Sequence, residues 1–172
     1  HSALDIATTL RDLHPDDRDQ IKKAYAAACF AVGRVEEAGA LYQELRHDFP
    51  NDHLIPISQG HIFNAEGNRE AAIKAFSASA EIKADHGDAY WSLANTKSYR
   101  FNDEQIQRMK ALDQTQHVGG ADRIQICFAL GKALEDAGDY DEAFAFYSRG
   151  NQLKLPTTHF DTQQLAKRID AQ

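Results

Sequence analysis

Three glycines, Gly33, Gly67 and Gly138, stand at the same place in a recurring pattern. Each is followed by a small residue, Ala38, Ala72 and Ala143, and then one helical turn later by an aromatic ring, Tyr42, Phe76 and Tyr147. The first two copies are 34 residues apart, and the third follows two such periods later with about three extra residues. A fixed period of this length means like units stacked on one another, since no single unit can bury its own apolar face. That constraint excludes most other folds before composition is considered.

Each part of the pattern has a physical use. A glycine adopts the left-handed conformation that stops one helix and opens the turn to the next. Acidic residues follow it, in Glu36-Glu37, Glu70 and Asp141-Glu142, where they complement a helix N-terminus. The alanines allow two helices to approach closely, and the aromatics are expected to fill the space beneath the next hairpin. The frame gives hairpin units at 19–52, 53–86, 87–123 and 124–157. Their helix pairs are Asp19–Val32 with Glu36–Asp48, Leu54–Glu66 with Arg69–Lys83, Asp88–Tyr99 with Asp103–Thr115, and Asp122–Ala137 with Tyr140–Lys154. The third unit is degenerate, with Phe101 at the glycine position and Ile106 at the small-residue position, although Asn102-Asp103-Glu104 still reads as a cap and first turn. The extra residues fall in the loop His117-Val118-Gly119-Gly120. Leu4–Leu13, within 3–13, reads as the second helix of a truncated preceding unit, and Phe160–Ile169, within 158–172, as a C-terminal capping helix. One repeat domain over 1–172 is therefore expected.

The period of 34 is that of the tetratricopeptide repeat, and residues 19–157 resemble that family. The resemblance implies an all-α fold, a right-handed superhelix of antiparallel helix hairpins (an α-α superhelix) whose first helices line a concave face. A narrower resemblance covers roughly 88–155, through Ala89-Tyr90-Trp91-Ser92-Leu93-Ala94-Asn95 and Phe128-Ala129-Leu130-Gly131-Lys132-Ala133-Leu134 with Tyr147-Ser148-Arg149-Gly150-Asn151. These stretches are similar to the repeat region upstream of the catalytic domain in bacterial tetratricopeptide-containing sulfotransferases. That implies a non-catalytic N-terminal region of a larger enzyme, serving substrate recruitment or homodimer formation. The alternative is a stand-alone adaptor in a multiprotein assembly. The family's donor-binding loop, a Gly- and Ser/Thr-rich turn between strand and helix, has no counterpart, because Gly119-Gly120 follow no strand.

Repeat register places Lys23, His61, Asn64, Trp91, Asn95, Tyr99 and Lys132 on the first-helix face. Trp91, Asn95 and Tyr99 recur one turn apart, so rings and an amide form a strip suited to a protein or peptide partner. The same spacing also suits core packing. The carboxylate clamp of some family members is incomplete, because Lys23 is present but Ala27 and Ser58 replace its asparagines. His47, Asp48, Asp52 and His53 flank Pro50 without the helical pairing of zinc motifs, so no metal and no cofactor are expected. Glu36-Glu37 and Glu135-Asp136 are adjacent pairs that diverge on a helix, so no catalytic residue is expected.

The formal net charge of −7, with lysines and arginines scattered, argues against nucleic acid. No apolar run is long enough for a membrane span. Cys29 and Cys127 sit in apolar helical runs and read as small buried residues, which fits a reducing compartment and a cytoplasmic location.

Overall fold

The computed structural model describes residues 18–157. Among them are eight α-helices and no strand. They are α1 (Arg18–Ala31), α2 (Val35–Asp48), α3 (Leu54–Ala65), α4 (Arg69–Ile82), α5 (Gly87–Asn95), α6 (Asp103–Gln114), α7 (Gly120–Ala137) and α8 (Tyr140–Lys154), followed by a 3₁₀ turn at Leu155–Thr157. The helices expected within 3–13 and 158–172 lie outside the described residues. Packing divides the chain into two compact units between Arg100 and Phe101, inside the segment the repeat frame marks as degenerate.

In the first unit α1 pairs with α2 and α3 with α4, while α2 packs on α3 and α4 on α5. In the second unit α7 pairs with α8 and α6 packs on α7. The hairpin turns are made as the sequence predicts. Gly33, Gly67 and Gly138 have φ of 81°, 78° and 85°, a region that costs any side chain strain. The next helix is then capped where a suitable residue exists: Asn68 Oδ1 accepts from the Ala71 N–H at 3.1 Å, and Asp139 Oδ1 from the Glu142 N–H at 3.3 Å. Asn102 forms a full capping box with Gln105.

The seam inside two of the hairpins, α3 with α4 and α7 with α8, is set by one contact. A Cβ on Gly60 would lie 2.3 Å from the Phe76 ring, and one on Gly131 would lie 2.6 Å from the Tyr147 ring. The aromatic of the second helix therefore rests on bare backbone of the first, within its own hairpin. In the first hairpin the corresponding residues, Ala26 and Tyr42, share one buried cluster with Cys29, Ala38, Leu45, Ile55 and Ile62. Burial of Leu45, Ile55 and Ile62 there is worth about 1.5–3 kcal/mol each.

Helix α5 is the departure from expectation, because it stops at Asn95 instead of running to Tyr99. Thr96 donates its hydroxyl to the Leu93 carbonyl at 2.7 Å, while its N–H makes a tight bond to the same oxygen. Lys97 then takes a φ of 60° without being glycine. The hydroxyl and the left-handed residue together end the helix a turn early.

In the second unit a carboxylate replaces part of the apolar core. Asp113 is 1% exposed. It accepts from Arg149 Nε at 3.1 Å, from Gln114 Nε2 at 3.1 Å and from Cys127 Sγ at 3.4 Å. Arg123 bonds the Asp113 and Thr115 carbonyl oxygens, so one polar knot ties α6, α7 and α8. Burial, with Asp113 adjacent, pushes the Cys127 thiol up to about 12, so it stays protonated and unreactive.

Three substitutions test this packing. Gly60→Ala should lose about 1–3 kcal/mol in equilibrium urea unfolding, because overpacking exceeds the helix-propensity gain of about 1 kcal/mol. Gly39→Ala, whose new Cβ would meet only Ile62 Cγ2 at 3.9 Å, should show no such loss. Asp113→Ala should cost about 1–3 kcal/mol, since it removes the buried acceptor shared by Arg149, Gln114 and Cys127.

Candidate protein-binding surface

The first helices of successive hairpins, α1, α3 and α5, carry the residues that register places on one face. They are joined side to side by charge. Lys23 on α1 reaches Asp52 at 2.7 Å and lies over the Phe49 ring, 4.3 Å from its centre. Asp52 also accepts from the Leu54 N–H at 3.0 Å, which fixes the start of α3. His61 on α3 faces Asp88 on α5 at 3.7 Å and meets the Phe76 ring edge-on, centres 5.2 Å apart. Ser92 donates to Asp88 from one turn further along, at 3.3 Å.

Both carboxylates titrate below their usual range. Burial pushes Asp52 up, but the Lys23 ammonium and the Leu54 N–H outweigh it. The His61 imidazole holds Asp88 down, against burial that opposes it. At 3.7 Å the His61 contact is long for a hydrogen bond and is an ion pair only when the imidazole is protonated.

The expected residues divide into groups. Lys23 and His61 are part of the joints between hairpins, so they orient neighbouring helices and are only in part available to a partner. Asn64 and Asn95 are exposed. Trp91 is half-buried on α5, one turn from Asn95. Tyr99 lies beyond the end of α5, so the expected helical strip of Trp91, Asn95 and Tyr99 is broken; the early stop at Thr96 is the reason. Lys132 lies on α7 in the other unit and is bonded to Asp136 on the same helix. Among the described residues no three His, Cys, Asp or Glu side chains form a metal-holding group, and no helix is long and apolar enough to cross a membrane.

Sequence reasoning considered Asp52 only with the histidines beside Pro50, did not foresee the partner of Asp88, and missed Asp113. The first two had a visible signal, since each acid stands at a helix start beside a first-helix face. Asp113 had one as well: an acid in the last turn of α6 opposes the helix dipole and calls for a cationic partner.

Residues 124–155, which comprise most of α7 and α8, match the family described as Tetratricopeptide repeat. An uncharacterized protein of Aquifex aeolicus (strain VF5) is 28% identical over 128 residues, which is 74% of this chain and 16% of that protein. The chain thus spans about a sixth of the relative it matches. Among solved structures, MamA superposes with a TM-score of 0.60 at 14% identity, covering 90% of this chain and 88% of that one. BtubC (BKLC) from P. vanneervenii gives 0.59 at 16% identity, covering 83% and 65%. The fold class is all-α and tetratricopeptide-like.

The depressed pKa of Asp52 has a measurable consequence. A carboxyl whose folded pKa is lowered stabilises the fold above its unfolded value near 3.8, and that stability is lost as pH falls through the folded value. Asp52→Asn keeps the acceptor for Leu54 and removes only the charge. Its cost should be about 1 kcal/mol at pH 7 and should vanish in urea titrations as pH falls through the folded pKa of Asp52, which lies below 3.8.

Proposed function

We propose that this chain is a protein- or peptide-binding scaffold whose binding surface is the first-helix face of residues 18–100. Support comes from the neighbouring placement of Trp91, Asn95, His61 and Asn64 on α3 and α5, which the His61–Asp88 pair brings together. A half-buried indole supplies contact area at low entropic cost, and exposed amides can bond a peptide backbone in both directions. In this reading the segment itself carries out no reaction. Lys23 and Lys132, each with a bound carboxylate, contribute charge at the margin at most.

The resemblance over 88–155 supports a finer reading, in which the scaffold recruits substrate or a second copy for an attached sulfotransferase. A stand-alone adaptor accords equally well with the repeats. The coding sequence after Gln172 separates them: a strand, a Gly- and Ser/Thr-rich loop and a helix favour the first, and a stop codon favours the second.

Displayed-peptide selection on the purified chain, followed by titration of the selected peptides, tests the binding surface. Asn64→Ala with Asn95→Ala should weaken binding about tenfold while stability changes by less than about 0.5 kcal/mol, because both side chains are exposed. Trp91→Ala should weaken it further. Unchanged affinity in all three substitutions would place the binding surface elsewhere.

A further inference from the structure

A second surface lies between α2 and α3, away from the face just described. It is a groove of about 510 Å³ lined by Glu36, Gly39, Ala40, Gln59, Phe63 and Glu66, with Gln43 and Ile62 completing it. The two helices run antiparallel across it. Gln59 Nε2 donates to the Tyr42 carbonyl at 3.4 Å, and Gly39 faces Ile62. One further turn along the same register brings Glu36 opposite Glu66.

The groove is therefore graded from end to end. Two carboxylates stand at one end, and the amides of Gln43 and Gln59 stand at the other. Between them the floor is apolar and low, because Gly39 and Ala40 have almost no side chain and leave the half-buried Phe63 open from that side, with Ile62 buried beneath. Among the described residues neither Glu36 nor Glu66 forms an ion pair, whereas the adjacent Glu37 is held by Arg34 at 3.3 Å and by the Tyr25 hydroxyl at 2.9 Å. The C-terminal end of α3 adds partial negative charge beside Glu66, and the start of α2 partly offsets it beside Glu36. The two carboxylates are the acidic groups of that end, and Arg34, which lines a neighbouring cavity with Glu36, is paired with Glu37. The lined stretch of each helix is about 10 Å long, which is the length of about three extended residues.

We infer that this groove docks an extended peptide segment in which a lysine or arginine is followed by an apolar side chain. The cation occupies the Glu36–Glu66 end. The apolar side chain lies over Ala40 and Phe63, and the Gln43 amide takes a backbone group beyond it.

Fluorescence anisotropy with an end-capped, fluorescein-labelled heptapeptide tests this on the full chain. The peptide has a central lysine–leucine pair among glycine and serine, and its control carries glutamate in place of lysine. The lysine peptide should bind about tenfold tighter than the control and weaken with added salt. Glu36→Gln with Glu66→Gln should erase that preference, and Ala40→Met, at an exposed position, should weaken the lysine peptide by filling the floor. Asp103→Asn with Glu104→Gln, an equal loss of charge at exposed sites on α6, should leave binding unchanged, as should Asn64→Ala with Asn95→Ala. Equal affinity for the two peptides overturns the inference. So does an equal loss in the α6 control, which would mark attraction to net charge alone.

Discussion

The structure depends on a ring lying against bare backbone. Phe76 over Gly60 and Tyr147 over Gly131 bring two helices of a hairpin to a separation that a single methyl group would prevent. That approach sets where every other side chain on those helices falls. With Phe76 seated on Gly60, its ring edge meets His61, and His61 faces Asp88 on the next hairpin. A packing constraint within one hairpin thus orients a polar contact to its neighbour. Interiors at crystalline density pass such constraints on because they have no slack to absorb them.

Much of this was legible in the sequence because it is local. The left-handed glycines, the cap at Asn102 and the acidic first turns at Glu36-Glu37, Glu70 and Asp141-Glu142 act within one turn of where they stand. Their spacing therefore carries their meaning, and helix ends fell within a residue or two for most elements. The aromatics Tyr42, Phe76 and Tyr147 were legible as core but not as to which surface they fill. Choosing between their own hairpin and the next needs the facing residue, and Gly60 and Gly131 were not recognised as that residue. The end of α5 was missed for a different reason. Periodicity continues through Tyr99, while Thr96 competes for the Leu93 carbonyl with its own hydroxyl, an effect that hydrophobic spacing does not register.

The candidate surface was legible only in outline. Register gives the helix face, but partners come from elsewhere in the chain. Lys23 read alone is a free ammonium suited to a ligand; in the fold Asp52, from the turn before α3, already holds it. The same is true of Lys132 and Asp136. Charged residues predicted on a binding face are thus the ones most readily taken up by the protein itself. Uncharged polar residues such as Asn64 and Asn95 have weaker intramolecular alternatives and remain exposed. This is why the amides, and not the lysines, mark the surface proposed for a partner.

A polar group in a helical repeat can hold hairpins together or meet a partner, and burial decides which. Asp113 is fully enclosed, with Arg149, Gln114 and Cys127 all directed at it, so its charge is compensated on every side and no ligand can gain from it. Glu36 and Glu66 are the opposite case: exposed, beside one another by register, above a floor of small residues. Two like charges held close in water repel only weakly, so the fold tolerates them without a counterion. A cation entering between them meets both fields at once and carries an apolar neighbour onto Phe63. The same array of helices therefore uses enclosed carboxylates for cohesion and leaves open ones as the groups with interaction energy still to give.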